Sequence, residues 1–263
     1  MKILVVGDSC VDDFVYGDIK RISPEAPIPV FVPSDNKQND GMAKNVFNNV
    51  KSLGSDVEII TNLNGIIKRR YVDNRSGQMV LRVDEHDWTP RINIKVLQGI
   101  SGNKIVSYGN EETIEHIDAI IISDYCKGFL EESDIKYICE NNFNVFVDTK
   151  KQLGDWILNA DFIKINELEY EKNHQVFADE SYVGVEKLIV TLGSKGCRYK
   201  GEEYSVPKVS VKDVSGAGDT FLAGLVVKYV ETNDIVESIK FAQKCTTQVV
   251  QQKGVAQVKL GDL

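Results

Sequence analysis

Five short, nearly uninterrupted apolar runs punctuate the chain: Ile3–Val6, Ala119–Ile122, Val145–Val147, Phe162–Ile165 and Leu188–Val190. Runs without polar alternation suit parallel strands that are covered on both faces. Between them the apolar spacing turns helical, as in Val46, Val50 and Leu53, or Ile135, Ile138 and Cys139. Strand alternating with helix predicts a mostly parallel sheet with helices on both sides, a three-layer α/β/α arrangement. Two stretches break this rhythm. Pro27-Ile-Pro-Val-Phe-Val-Pro33 is bracketed by prolines and predicts an edge strand or extended arm. Lys68–Asp73 and Gln78–Asp84 alternate polar and apolar residues around Asn74-Arg-Ser-Gly77, which predicts a hairpin with one wet face. Together these pieces make a small second β-sheet. Two helices, over roughly 217–230 and 235–250, close the chain.

Composition narrows the partners. A length of 263 residues suits one large α/β domain or a domain with a small appendage. The net charge of −8 and pI near 5.1 argue against a nucleic-acid or anionic-membrane surface. Any phosphorylated ligand must therefore meet a local concentration of positive charge. No run of 18 apolar residues exists, and the start MKILVVGDSC reads as a strand and not as a signal segment. Five scattered cysteines without a C-x-x-C pair suggest free thiols in a reducing cytoplasm and no structural zinc.

Polar residues stand where the predicted strands end: Asp8 and Asp12, Ser123-Asp124-Tyr125, Asp148-Thr-Lys150, Asn166, and Thr191-Leu-Gly193. In an open α/β sheet ligands bind beyond the carboxyl ends of the strands, so five such ends in register outline a polar cleft. The most informative segment is Asp213-Val-Ser-Gly-Ala-Gly-Asp-Thr-Phe221. A small-residue turn, Ser215 to Gly218, opens an apolar helical pattern and leaves backbone N–H groups free for an anion. Asp219 at the junction has two readings. It is a base that takes a proton from a hydroxyl attacking a phosphate, or an acidic first-turn residue favoured by the helix dipole. There is no G-x-x-x-x-G-K-[ST] and no G-x-G-x-x-G after the first strand, so a nucleotide must bind by another route. Asp84-Glu-His-Asp87 reads as a solvated turn, and His116 and His174 lack a Ser or Cys partner for a hydrolytic triad.

Asp213–Phe221 resembles the D-T/S-x-G-A-G-D-x-F motif of ribokinase-type (PfkB) carbohydrate kinases, and the resemblance runs over nearly the whole chain. Within the family the likeness is to the D-glycero-D-manno-heptose 7-phosphate kinases. Its carriers are Gly7-Asp-Ser-Cys-Val-Asp12 with Tyr16-Gly17, Arg21-Ile-Ser-Pro-Glu-Ala-Pro-Ile-Pro-Val30, Ser123-Asp-Tyr-Cys-Lys-Gly128 and Asn166-Glu-Leu-Glu-Tyr-Glu171. The resemblance implies a ribokinase-like fold over 1–263 with lid elements at about 13–33 and 67–86. It also implies transfer of the γ-phosphoryl group of ATP to a sugar or sugar-phosphate hydroxyl.

The implied roles follow position by position. Asp219 would deprotonate the acceptor, and the amides of Ser215, Gly216, Ala217 and Gly218 would hold the transferring group. Asn166 and Glu169 match the N-x-x-E element that organises hydrated Mg²⁺. Thr191, Gly193 and Gly196 match the nucleotide loop, and Gln243 stands where an asparagine near the adenine is usual. Asp12 would accept hydrogen bonds from sugar hydroxyls, with Asp124 on the same substrate side. Lys150 would face the nucleotide or the sugar phosphate. Lys68 and Arg82, on the hairpin, would meet a sugar phosphate or lie on its solvated face.

Departures stand beside these matches. The family's G-G-A-A-N reads Gly41-Met-Ala-Lys-Asn45, so Met42 replaces a glycine and Lys44 adds a charge that meets either a substrate phosphate or solvent. A helix and strand usual before the hairpin are missing between Thr61 and Lys68. No nucleotidylyltransferase domain follows Leu263, so the expectation is kinase activity alone. Exposed strand edges in the lid imply a homodimer. A kinase for another sugar and a catalytically idle nucleotide- or sugar-binding regulator remain as alternatives.

Overall fold

In the computed structural model, which describes residues 1–108, 112–177 and 186–262, every one of the five apolar runs is a strand. In chain order the elements are β1 (Lys2–Gly7), β2 (Ser9–Ile22), β3 (Pro29–Met42), α1 (Ala43–Ser52), β4 (Asp56–Thr61), β5 (Ile66–Asp73), β6 (Met79–Glu85) and α2 (Ile94–Gln98). Then come β7 (Lys104–Tyr108), β8 (Glu112–His116), β9 (Ala119–Asp124), α3 (Glu132–Asn141), β10 (Val145–Thr149), β11 (Phe162–Asn166), α4 (Glu167–Lys172) and α5 (His174–Phe177). The chain closes with β12 (Leu188–Thr191), β13 (Cys197–Tyr199), β14 (Glu202–Tyr204), α6 (Ala217–Thr232) and α7 (Ile235–Val249).

The main sheet runs β14-β13-β12-β11-β10-β9-β1-β4, parallel from β12 to β4 and antiparallel only at its β13–β14 end. Strand alternation explains the unbroken apolar runs, because each face has its own core. Ile3, Val5, Ile121 and Phe146 face α1, α6 and α7, packing on Val46, Val50, Leu222 and Val226. Leu4, Val6, Ile120 and Ile122 face the other way, onto Ile135 and Ile138 of α3. Glycine sets the distance between the last two helices: a Cβ on Gly224 of α6 would lie 3.1 Å from Cys245 Sγ on α7.

The second sheet has the order β3-β2-β5-β6. The hairpin predicted on either side of Asn74–Gly77 is β5–β6, and the proline-bracketed segment opens β3 at the sheet edge. Two of its strands exceed the expectation: β2 starts at Ser9 and β3 continues to Met42, each 14 residues long. The stretches beyond it, Asp12-Asp13 and Ser34-Asp-Asn-Lys-Gln-Asn-Asp40, lack the apolar face that marks a strand in sequence. They form strands because each pairs along its length with a neighbour, β2 being flanked by both β3 and β5. The join between Thr61 and Ile66 is a four-residue link, so β4 borders the main sheet and β5 enters the second one directly. The five cysteines are free. Among the described residues no helix is long and apolar enough to cross a membrane.

Candidate active site

All five polar strand ends converge at the carboxyl edge of the parallel strands, where β2 leaves for the second sheet. Asp8 organises the rim. Its carboxylate accepts from the backbone N–H groups of Tyr125 at 2.7 Å and Phe129 at 3.2 Å, bending the loop after β9 over the sheet. Asp124 is likewise committed to protein partners: Thr149 Oγ1 donates to it at 2.6 Å and Lys151 Nζ lies 3.1 Å away.

Asp219 sits in the first turn of α6 and is 4% exposed. Asn45 Nδ2 donates to its Oδ2 at 2.8 Å and the Tyr125 hydroxyl donates to its Oδ1 at 2.6 Å. Burial pushes its carboxyl above the ordinary aspartate range, against these two hydrogen bonds and the nearby Lys164 ammonium. The turn before it is built on Gly216 at φ 76°, a left-handed conformation that glycine adopts without strain. The Ser215 amide is spent on Asp213 Oδ1 at 2.8 Å and that of Ala217 on Val214 O at 3.2 Å. Among the described residues the N–H groups of Gly216, Gly218 and Asp219 have no acceptor, so Gly216 and Gly218 of the expected set are free, Ser215 and Ala217 are not, and Asp219 adds a third donor.

Beneath Gly218 lies a group the sequence reading missed. A Cβ there would be 3.0 Å from Lys164 Nζ, and that buried ammonium donates to Asp148 Oδ2 at 2.5 Å. A lysine in the middle of Phe162-Ile-Lys-Ile165, a strand covered on both faces, must find a carboxylate, and that was the available signal. Burial acts to raise the Asp148 carboxyl, yet Lys164 and Lys150 hold it below the ordinary range. Lys150 continues the chain of charges, 3.4 Å from Asp148 and 2.6 Å from Glu169 Oε1. Its own ammonium is raised by those carboxylates against the effect of burial.

The N-x-x-E element folds as a capping box for α4: Asn166 Oδ1 accepts from the Glu169 N–H at 2.9 Å, and Glu169 Oε2 accepts from the Asn166 N–H at 2.8 Å. Among the described residues no three acidic, histidine or cysteine side chains converge in a metal-ligand set. One carboxylate, already hydrogen-bonded, fits a magnesium ion that keeps its waters and takes further oxygens from a triphosphate.

A cavity of about 480 Å³ opens on the far side of the glycine turn, lined by Thr191, Gly193, Gly196, Gln243, Ala217 and Gly218 with Val206, Val209, Val214, Phe221 and Val250. It is an apolar slot with polar groups at one end, as a planar base ending in phosphates requires. Gly193 and Gly196 both have positive φ, and a Cβ on Gly196 would collide with Tyr204 O. Gln243 is in the wall, its amide nitrogen donating to that same carbonyl. A larger hollow of about 680 Å³, lined by Trp88, Arg91, Cys126, Gly128 and Lys151, borders the loop after β9, and its Arg91 is paired with Glu131 at 2.6 Å.

The second sheet supplies the opposite wall. Arg70 Nη1 donates to Asp12 Oδ1 at 2.5 Å, so the guanidinium that meets Asp12 belongs to Arg70. Arg82 places both ends of its fork on Asp84, at 2.7 and 2.6 Å. Lys68 is buried and, among the described residues, has no carboxylate within ion-pair distance; its Nζ lies 5.3 Å from the centre of the Tyr125 ring, and burial lowers its pKa. Gly41 is buried against Asp12, where a Cβ would strike the carboxylate. Met42, at φ 60° and ψ −133°, keeps a backbone that suits glycine while its side chain packs on Cys10 and Ile66. Lys44 is half-buried in the first turn of α1 and, among the described residues, has no ion-pair partner.

The pfkB family carbohydrate kinase profile matches residues 98–260. The chain is 28% identical over 305 aligned residues to the bifunctional protein HldE of Hydrogenovibrio crunogenus, covering all of this chain and 62% of that protein. It is 29% identical over 311 residues to the bifunctional protein HldE of Helicobacter pylori strain Shi470, covering all of this chain and 65% of that protein. The chain thus spans a little under two thirds of the length of these curated relatives. Among solved structures, Arabidopsis thaliana ribokinase complexed with ribose and ATP superposes with a TM-score of 0.69 at 17% identity, over 98% of this chain and 95% of that one. Escherichia coli phosphofructokinase-2 in complex with potassium gives 0.73 at 13% identity, over 99% and 96%. The fold is ribokinase-like.

Proposed function

The chain belongs to the pfkB family of carbohydrate kinases, phosphotransferases that act on an alcohol group, and from that premise we propose that it transfers the γ-phosphoryl group of ATP to the anomeric hydroxyl of D-glycero-D-manno-heptose 7-phosphate. One observation carries the reading: the glycine turn at Gly216–Gly218 lies between the apolar cavity and the buried Asp219 carboxylate. A nucleotide seated in the cavity brings its terminal phosphate to the free amides of Gly216 and Gly218. A hydroxyl seated over Asp219 then stands in line with it. Phosphoryl transfer asks mainly for this positioning and for neutral surroundings as charge shifts. Asp219 takes the acceptor's proton, and its high pKa makes it a better base than a solvated carboxylate.

Lys164, just under Gly218, and Lys150 supply positive charge to the phosphates. Asn166 and Glu169 hold Mg²⁺ through water, and the ion neutralises the triphosphate when bound. The polar groups of Thr191 and Gln243 border the nucleotide. Asp12, held by Arg70, and Asp124 line the acceptor side with Gly41 and Asn45. Lys68, buried and without a counter-ion among the described residues, is the leading receptor for a phosphate on the sugar, with Lys44 and Arg82 at the rim. The second sheet works as a lid that excludes water from the transfer. Its outer strand β3 leaves an edge free, with Val32 exposed on it, which supports pairing with a second copy as a homodimer. Free thiols suit a cytoplasmic protein.

A coupled ADP-release assay over sugars and sugar phosphates tests the reading. Turnover confined to heptose 7-phosphate upholds it, a different preferred sugar replaces the substrate, and binding of nucleotide without turnover on any acceptor overturns the enzyme reading.

A further inference from the structure

Tyr125 stands where three parts of the site meet. Its hydroxyl donates to Asp219 Oδ1 at 2.6 Å. Lys68 Nζ from the second sheet and Lys150 Nζ from the main sheet lie 5.3 and 5.2 Å from the centre of its ring. Its ring also packs on the small cluster of Cys10, Met42 and Ile66. The backbone at its root is pinned, because its N–H is given to Asp8 at 2.7 Å. The phenol is thus aimed at one carboxylate oxygen by contacts on several sides, while Asn45 holds the other oxygen at 2.8 Å.

Resting on the reading of Asp219 as the base, we propose that Tyr125 is a positioning residue for phosphoryl transfer: its hydroxyl fixes the Asp219 carboxylate in one rotamer, stabilises its charged form and leaves one lone pair for the acceptor hydroxyl. The surroundings make this donor necessary. Asp219 is buried away from water, which disfavours its charge. The charged and titratable groups facing it are Tyr125, Lys164 from β11, Asp148 from β10 and Cys10 from β2, with neutral Asn45 from α1. Asp148 opposes ionisation and Lys164 favours it, but Lys164 is already bonded to Asp148, so much of its field is cancelled. Cys10 is held up at about 12 by burial and stays a neutral thiol. Tyr125 is itself raised well above its usual value by burial and by Asp219, so it remains a proton donor wherever the base is charged. Two hydrogen bonds, from Tyr125 and Asn45, therefore favour the charged base against the effect of burial.

Tyr125→Phe removes one oxygen and keeps the ring between the two lysines, which separates positioning from packing. Losing the donor raises the pKa of Asp219, so the acidic limb of kcat moves to higher pH by about one unit, the usual size of one hydrogen bond to a charged group. The plateau kcat falls about tenfold as the carboxylate loses its fixed rotamer, and KM for ATP stays within about twofold. Tyr125→Leu, which also loses the ring, shows the same limb shift with a larger rise in acceptor KM. Asp219→Asn is measured alongside. If it keeps near-normal turnover, the base reading falls and the role of Tyr125 falls with it. If it is inactive while the Tyr125→Phe profile superimposes on the parent, the base reading stands and the role of Tyr125 is wrong.

Discussion

Asn45 in the first turn of α1 donates its side-chain amide to Asp219 in the first turn of α6, at 2.8 Å and across 174 positions of sequence. The bond ties two of the three helices that cover one face of the main sheet, and it puts the proposed base at their junction. Asparagine at 219 keeps this geometry, since its oxygen still accepts from Asn45 and its nitrogen faces the Tyr125 oxygen. Asp219→Asn should therefore fold and bind nucleotide as the parent does, while kcat falls by about a hundredfold or more. Nucleotide titration beside steady-state turnover checks this. Near-normal kcat removes Asp219 from the base role.

The glycine before the helix depends on the same contact. A Cβ on Gly216 would lie 2.5 Å from Asn45 Nδ2, and its φ of 76° is strained for any L side chain. Gly216→Ala thus costs backbone strain of about 1–2 kcal/mol and displaces the amide that holds Asp219. The expected result is a melting temperature lower by several degrees together with a kcat loss of about tenfold or more. A lowered melting temperature with unchanged kcat would show that the turn can shift without disturbing the base.

Glu169 has two jobs in this structure, capping α4 and pairing with Lys150 at 2.6 Å. Glutamine retains the cap through its carbonyl oxygen and drops the charge. Glu169→Gln should leave thermal stability nearly unchanged while raising the Mg²⁺ concentration for half-maximal rate by about tenfold, because an anionic acceptor for metal-bound water is lost. A magnesium titration of kcat at saturating ATP reads this out. An unaltered titration curve would leave Glu169 a helix cap only.

Lys68 is 8% exposed, and among the described residues no carboxylate neutralises it within ion-pair distance. A buried ammonium of that kind costs stability until an anion meets it. Lys68→Met keeps the aliphatic stem and removes the cost, so the ligand-free protein should melt at the same or a higher temperature. KM for a phosphorylated acceptor should rise about tenfold or more, and that for its unphosphorylated counterpart far less. The pH dependence follows from the lowered pKa: the ammonium's contribution to phosphate affinity is full on its acid side and is lost as pH rises through a value below that of a solvated lysine. Equal effects on both acceptors would move the phosphate receptor elsewhere, Lys44 being next to test.

The parallel layers were legible because burial on both faces leaves a local mark in the sequence, a run such as Ile120-Ile-Ile122 with nothing polar in it. The positions of Asp219, Asn166 and Glu169 were legible from short motifs whose spacing is fixed by a turn or a helix start. The second sheet was only half legible. β2 and the far half of β3 carry Asp, Asn, Lys and Gln because one strand is an edge and the other closes over a polar cleft, so no amphipathic period marks them. Charge pairing was the least readable feature. Alternation put Lys68, Arg70 and Arg82 on one hairpin, but only the register Asp12↔Lys68 and Arg70↔Arg82 decides that Arg70 reaches Asp12 while Arg82 is left to Asp84. Lys164 needed a partner 16 positions away, in the neighbouring strand.

Met42 joins these two kinds of information. Its φ of 60° and ψ of −133° are a conformation that glycine adopts more readily than any L side chain, and its side chain fills the cluster of Cys10 and Ile66 against Tyr125. Two effects compete in Met42→Gly. Relief of backbone strain stabilises by about 1–3 kcal/mol. Emptying a buried methionine costs about 2–5 kcal/mol, so the cavity wins and the melting temperature falls by several degrees. The space appears beside the Tyr125 ring, on the acceptor side of Asp219, so acceptors other than the parent's preferred one should gain in relative kcat/KM. A panel of sugars and sugar phosphates, each compared with the parent enzyme, reads the change. A lowered melting temperature with the same order of acceptors would mean that Met42 supports the floor of the site without shaping the pocket above it.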